Sequence, residues 1–332
     1  MTSDRDVVVL GAGSWGTVIA SLVSFNASTA SLWARDAQFA REIKHSRRNS
    51  RYLPSFEIPE SVNVVSDFAD VCRSANVIFV AVPSHGFRAI VNKIRPYIPN
   101  DTVVVSLAKG VESITNATMT QIICDDLPQA IPAVLTGPNL AGEIALAMPS
   151  ASVVACKDRD AAHEVQSLFH HTALRVYTSD DVVGCEIAGS VKNVLAIAAG
   201  IGDGMGFGSN TKAALITRGV AELTRLGVAL GGKQATFAGL AGVGDLIATC
   251  TSGQSRNRSV GEDLGKGALL NDIVGRTSMV AEGVKSCEAI CALATENGVE
   301  MPISFGVLAV LRGEIDAQTG LAELLARELR AE

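Results

Sequence analysis

Asp6-Val7-Val8-Val9-Leu10-Gly11-Ala12-Gly13-Ser14-Trp15-Gly16 decides the fold. The first five residues form a short, continuous, β-branched run, the pattern of a strand buried on both faces. The run ends in Gly-x-Gly-x-x-Gly, and the next segment, 17–25, is small and apolar, as in a helix. In that context each glycine has a task. Gly11 permits the tight turn, Gly13 lets backbone approach a pyrophosphate, and Gly16 lets helix and strand pack closely. Backbone N–H groups and the helix dipole then meet the negative charge. A chance glycine-rich turn is the competing reading.

Outward from this turn, short apolar runs alternate with helical stretches. Strands are predicted at 30–34, 76–82, 102–107, 133–135, 151–156 and 174–177, and helices at 36–47, 84–94, 113–125 and 141–147. Such alternation implies a parallel sheet covered on both faces. After Thr178 the pattern changes. Ser179-Asp180-Asp181 is a helix-start signal, and apolar residues then recur at helical spacing through Ile187, Val191, Val194, Leu195 and Ala198. Helices are expected at 211–226, 277–297 and 321–329. The fold class is therefore α/β: a doubly wound sheet domain, residues 1–179, followed by an all-helical domain, residues 180–332. Residues 200–208 hold five glycines and read as a connector, with Asn210 as cap of the next helix.

Composition bounds the function. Of 332 residues 48% are hydrophobic and 19% charged, which supports two large cores and argues against long disorder. A net charge of −6 with no basic run excludes a sequence-independent nucleic-acid binder. The seven cysteines are scattered and never spaced CxxC, against a disulfide scaffold or structural zinc site. Cys287 and Cys291 are expected on one helix face. The charges Asp4, Arg5 and Asp6 interrupt any apolar leader, and 187–202 reads as too short for a membrane span. The expected location is the cytoplasm. No Walker A motif, nucleophile elbow or HExxH is present.

Several residues are candidates for chemistry. The second strand ends Trp33-Ala34-Arg35-Asp36. An acid there bonds a ribose 2′-hydroxyl, whereas an arginine pairs with a 2′-phosphate, so Arg35 points to NADPH unless it is a solvated helix-start residue. Lys109 stands where an apolar strand ends, as an anion contact or a surface lysine. Gly137-Pro138-Asn139 follows another strand and by itself is a turn. Lys192 is the one charge between Ile187 and Gly202, beside Asn193. It either reaches outward to solvent or is buried for a purpose, in which case proton transfer is the natural task. Asp245 and Thr249 lead into Ser255-Arg256-Asn257, where the Arg256 fork suits a phosphate, unless the loop is merely solvated.

Taken in order, these blocks resemble the bacterial NAD(P)-dependent glycerol-3-phosphate dehydrogenase family. The resemblance rests on Gly11 to Gly16, Val82-Pro83-Ser84-His85, Ala108-Lys109-Gly110, Ser190 to Val194, Ala214 to Gly219, Gly239 to Leu246, Thr249-Cys250 and Gln254 to Asn257. It implies a Rossmann-like domain and a helical domain, with the nicotinamide of NADPH or NADH lying in the crevice they form. It further implies that Lys192 is the proton acceptor and that Lys109, Gly137, Asn139, Asn193, Asp245, Thr249, Ser255, Arg256 and Asn257 contact substrate. Gly11, Gly13, Ser14, Trp15, Gly16, Arg35, Lys109, Ala141, Arg256, Val280 and Glu282 match cofactor positions. Many bacterial members carry threonine where Asn139 stands, and tyrosine or phenylalanine where Trp15 stands. The reaction implied is interconversion of dihydroxyacetone phosphate and sn-glycerol 3-phosphate, for phospholipid synthesis. The implied partner is a small phosphorylated substrate, with no nucleic acid, no membrane span and no metal, and the sequence is compatible with a homodimer. The competing readings are a related β-hydroxyacid or 6-phosphogluconate-type dehydrogenase, and a non-catalytic NAD(P) sensor.

Overall fold

The computed structural model describes residues 5–275 and 281–325. Two units emerge: Met1–Ala108 with Ala117–Cys185, and Lys109–Asn116 with Glu186–Glu332.

The first unit carries ten strands: β1 (Asp6–Leu10), β2 (Thr29–Trp33), β3 (Arg48–Asn49), β4 (Leu53–Glu57), β5 (Val62–Val65), β6 (Val77–Val80), β7 (Val103–Ser106), β8 (Ile131–Thr136), β9 (Ser150–Cys156) and β10 (Leu174–Ser179). Eight of them form one sheet, in the order β10-β9-β8-β7-β6-β1-β2-β5. Seven helices join them: α1 (Ser14–Val23), α2 (Ala37–Ser46), α3 (Ala69–Arg73), α4 (Ser84–Ile94), α5 (Met119–Asp126), α6 (Ala141–Ala145) and α7 (Arg159–Ser167). The period-two alternation of strand side chains makes two cores. Val7 and Val9 of β1 pack with α1, α2 and α7 on one face, while Val8 and Leu10 pack with α4 and α5 on the other. Both faces are therefore dry, which is why the strands read as unbroken apolar runs. The chain leaves β1 toward β2 and later returns to β6 on its other side, so the strand order reverses at β1. Ligand crevices of open α/β sheets lie outside the carboxyl ends of strands at such a reversal.

The parallel-sheet expectation needs one correction. β9 pairs antiparallel with β8, and β10 follows β9 in parallel. Residues 137–149 join β8 to β9 and hold only the five-residue α6, too short a helix to run back along the sheet, and the strand re-enters reversed. The sequence reading also lacks the β3–β4 ribbon, edge strand β5 and helix α7. The last begins with a readable cap, the Asp158 carboxylate accepting from Asp160 and Ala161 N–H at 2.9 Å each.

The second unit is helical: α8 (Val182–Gly204, whose first residues still belong to the sheet unit), α9 (Ser209–Ala229), α10 (Gln234–Phe237), a π turn (Leu240–Gly244), α11 (Asp245–Thr251), α12 (Arg256–Gly265), α13 (Leu270–Gly275), α14 (Glu282–Glu296), α15 (Pro302–Leu311) and α16 (Ala317–Leu325). Among the described residues no strand follows β10. The helix expected at 277–297 is described only from Glu282, because its first four residues lie outside the described set. Cys287 and Cys291 are both buried on α14.

Here the glycine-rich stretch departs from the sequence reading. Gly200, Gly202 and Gly204 continue α8, which reaches 23 residues. The next helix is preceded by Gly208 with no side-chain cap, and Asn210 lies inside it. The reason is a close helix crossing. A Cβ on Gly200 would lie 1.9 Å from the Arg258 carbonyl oxygen, and one on Gly204 would lie 2.2 Å from that of Glu262. Reciprocally, Gly261 and Gly265 of α12 face the carbonyls of Ile197 and Ile201 at 2.0 and 2.3 Å. Two glycines at four-residue spacing on each helix let the backbones touch. By length and composition α8 could cross a membrane, but 94% of its apolar window is buried in the fold. Glu222 of α9 provides a second anchor: buried, it accepts from the Ile303 and Ser304 N–H groups and so caps α15.

Gly200→Ala is expected to cost more than about 2 kcal/mol, since backbone on both helices must move. Gly306→Ala, where a Cβ meets nothing within 4 Å, should be neutral or stabilising by up to about 1 kcal/mol. Urea unfolding of the two variants checks the contrast.

Candidate active site

In the first unit the glycine turn has the shape its spacing demands. Gly11 adopts φ +120°, and a Cβ there would sit 2.8 Å from the Ala81 carbonyl oxygen of the strand beside it. A Cβ on Gly16 would overlap the Gly11 carbonyl oxygen at 2.0 Å. Gly13, which precedes the first turn of α1, has nothing within 4 Å of its missing Cβ, no side-chain cap and no acid in the turn that follows. The helix end is thus open to an anion. Buried Asn49 braces the turn from behind, donating to the Ala12 carbonyl at 3.0 Å and to Thr17 Oγ1 at 2.8 Å. Ser14 Oγ donates to the Tyr52 carbonyl at 2.8 Å. Trp15 Nε1 is buried without a partner among the described residues. An open helix end beside an orphaned donor fits the pyrophosphate of a dinucleotide.

At the end of β2, Arg35 is exposed, while Asp36 is occupied as the N-cap of α2, accepting from Gln38 and Phe39 N–H at 2.9 and 3.1 Å. The Phe39 N–H bond chiefly holds its carboxyl below the ordinary value. Beyond β8, Gly137 takes φ +130° with a Cβ position 3.0 Å from Ser152 Cα. Asn139 Nδ2 reaches Ser152 Oγ at 3.5 Å, and Ala141 opens α6 against the core. Thr136 Oγ1, next to Gly137, is a second buried polar atom without a partner among the described residues.

In the second unit the structure joins residues far apart in sequence. Asp245, 2% exposed, opens α11 directly after the π turn. Its Oδ1 lies 2.8 Å from Lys192 Nζ and its Oδ2 2.8 Å from Lys109 Nζ. Lys192 also donates to Thr249 Oγ1 at 2.7 Å, and that hydroxyl donates to the Asp245 carbonyl at 2.6 Å. Lys192 is 5% exposed, so the outward-reaching alternative is not realised. Asn193 Nδ2 donates to the Lys109 carbonyl at 2.8 Å, and Asn257 Nδ2 to Asn193 Oδ1 at 2.8 Å. Asn257 Oδ1 accepts from Gly283 N–H at 3.0 Å, and Lys109 N–H donates to Glu282 Oε2 at 3.3 Å. One network therefore connects Lys109, Lys192, Asn193, Asp245, Thr249, Asn257 and Glu282.

The network holds two cations and two anions, and both ammonium groups meet on the same buried carboxylate, with Glu282 nearby. Burial pushes Lys109 down to about 8, against the opposing pull of Asp245. Burial would raise the Asp245 carboxyl, but the charges of Lys109 and Lys192 outweigh it and hold it below its ordinary value. Ser255 is buried and N-caps α12, accepting from Arg258 N–H at 3.3 Å. Arg256 is exposed at the first turn of that helix, its fork open to an anion. Arg258, by contrast, is structural: it reaches Asp203 at 2.5 Å and the Ser252 carbonyl at 3.0 Å. Val280 lies outside the described residues. Sequence reasoning missed Asn49, Gly283 and the Asp203–Arg258 tie, none of which carries a local signal.

A doubly wound sheet with this glycine turn, in a chain that also holds two lysines on one buried carboxylate, defines an NAD(P)-dependent oxidoreductase. Residues 6–162 match the N-terminal domain and residues 181–322 the C-terminal domain of the NAD-dependent glycerol-3-phosphate dehydrogenases, and the chain belongs to that family. It is similar to glycerol-3-phosphate dehydrogenase (NAD(P)+) 2 of Sphingopyxis alaskensis, 48% identical over 319 residues and 96% of each chain. The Streptomyces griseus relative is 45% identical over 334 residues, covering 100% of this chain and 99% of its own. The crystal structure of glycerol-3-phosphate dehydrogenase from Coxiella burnetii matches with a TM-score of 0.93 at 36% identity, covering 98% of this chain and 99% of that one.

The lowered Asp245 carboxyl contributes stability that is complete above its ordinary value of 3.8 and is lost as pH falls through the native value. Asp245→Asn at neutral pH should cost about 3–5 kcal/mol in urea unfolding, the range for stranding buried charge. That cost should shrink as pH rises through about 8, where Lys109 sheds its proton.

Proposed function

We propose that this chain interconverts dihydroxyacetone phosphate and sn-glycerol 3-phosphate using NADPH or NADH, supplying glycerol 3-phosphate for phospholipid synthesis. The observation that carries the proposal is the pair of lysines on Asp245, which sets a proton donor beside a second ammonium group. The bound cofactor supplies or takes the hydride at the carbonyl carbon; the side chains do the rest. Asp245 and Thr249 take two of the three protons of Lys192. Among the described residues the third has no partner, and it is the one delivered to the carbonyl oxygen as negative charge develops there. In the oxidative direction the neutral amine accepts that proton from the hydroxyl. Lys109 adds positive charge near the same oxygen and holds the substrate. Arg256, at the N-terminal turn of α12 with Ser255 and Asn257, meets the phosphate, and this remote binding fixes the reacting carbon. Asn193 sets Lys109 through its carbonyl.

A cytoplasmic location and a homodimeric assembly belong to the same reading. Among the described residues α8 alone has membrane length, and its burial in the fold supports the first. The second is checked by sedimentation, where a single-chain mass would remove it.

NADPH absorbance should fall when dihydroxyacetone phosphate is added, and no loss with bound cofactor would refute the proposed reaction. Lys192→Ala should lower turnover by about 10²–10⁴-fold while leaving NADPH affinity nearly unchanged. A folded variant with near-normal turnover would remove Lys192 from proton transfer. In the wild type, kcat/KM for the phosphorylated substrate should fall as pH rises through about 8, as Lys109 loses its charge. Lys109→Arg should move that falling limb upward.

A further inference from the structure

We propose that Arg51 is a second cationic contact, beside Arg35, for the 2′-phosphate of NADPH, and that it sets preference for NADPH over NADH. The inference rests on the dinucleotide reading above. In such folds the residue ending the second strand reads the ribose 2′ position. The acid available there, Asp36, is committed. Oδ1 takes two backbone N–H groups of α2, and Oδ2 faces Arg51 at 3.6 Å. A carboxylate so engaged is a poor acceptor for a ribose diol.

Arg51 is held where a 2′-phosphate would lie. It belongs to the loop joining β3 to β4, and both ends of that loop are tied to the glycine turn. Asn49 donates to the Ala12 carbonyl, and Ser14 donates to that of Tyr52. Tyr52 N–H closes the loop onto Asn49 Oδ1 at 3.1 Å. The guanidinium lies 4.2 Å from the ring centroid of Phe39, itself buried in α2. That cation–π contact holds the guanidinium against α2, and its contact with Asp36 is longer than an ordinary hydrogen bond, which leaves its donors for a ligand.

Neighbouring arginines have other tasks. Arg47 donates to the Ile58 and Val62 carbonyls at 3.2 and 3.1 Å, and Arg48 pairs with Glu57 at 3.5 Å. Arg35 and Arg51 are left against the single charge of Asp36. Their surplus suits a phosphate monoester on the ribose and is indifferent to a hydroxyl.

Calorimetric titration with 2′,5′-ADP and with 5′-AMP separates the phosphate contact from the rest of the nucleotide. Arg51→Gln should weaken 2′,5′-ADP about tenfold or more, leave 5′-AMP unchanged, and lower the NADPH-to-NADH ratio of kcat/KM with kcat preserved. Arg48→Gln removes the same charge nearby and should leave all of these unaltered. Equal losses for both nucleotides, no loss for either, or an equal effect of Arg48→Gln would each overturn the proposal. Failure of the wild type to bind either nucleotide would instead overturn the dinucleotide reading, and the proposal with it.

Discussion

The carboxylate of Asp245 is the interaction on which the helical unit's chemistry depends. Two lysines buried in the same unit would repel each other and would not survive the loss of hydration without a counter-charge. Each oxygen of Asp245 takes one ammonium at 2.8 Å. Two ammonium groups side by side suit the site to a carbonyl oxygen that becomes more negative as it reacts. Thr249, one turn along the same helix, completes the setting of Lys192. The asparagine relay from Asn257 through Asn193 fixes Lys109 by its backbone, and Asp245 Oδ2 takes its ammonium at 2.8 Å.

Close backbone approach is the constraint that makes this placement reachable. Lys192 rides on α8, and Arg256 and Asn257 ride on α12. The two helices touch through Gly200 and Gly204 against Gly261 and Gly265. Side chains at these positions would push α12 outward and carry Arg256 and Asn257 with it. Gly242 in the π turn, whose Cβ would meet the Phe237 carbonyl oxygen at 2.1 Å, does the same for Asp245. In the sheet unit Gly11 and Gly16 let α1 start against the end of β1. Glycine thus acts in both units by letting main chain approach main chain, whereas a Cβ on Gly13 would meet nothing within 4 Å.

How much of this is legible in the sequence follows the range of each interaction. Strands β1, β6 and β7 read clearly because both of their faces are buried and nothing polar interrupts them. The reversal at β9 is invisible, since a strand's direction is set by how the connection packs and leaves no mark in its own residues. Gly206 and Gly208 do lie in the connection to α9, but Gly200, Gly202 and Gly204 misread as part of it because local rules assign them flexibility, whereas the reason for Gly200 lies 58 residues along, at Arg258. The site divides similarly. Gly11, Gly13 and Gly16 act within one turn and are readable from spacing. Lys192 is flagged as an isolated charge, but its partner Asp245 is 53 residues away, and Lys109 lies 136 residues from the same carboxylate. Only the family resemblance pointed to that grouping, and the coordinates supply its physical cause.

A double-mutant cycle between Asp245→Asn and Lys192→Met, read by urea unfolding at neutral pH, tests the central claim most directly. If the carboxylate holds the buried ammonium, the double variant should be less destabilised than the sum of the singles by at least about 1 kcal/mol. Effects that add to within about 0.5 kcal/mol would contradict the account, because the two groups would then be stable independently of one another.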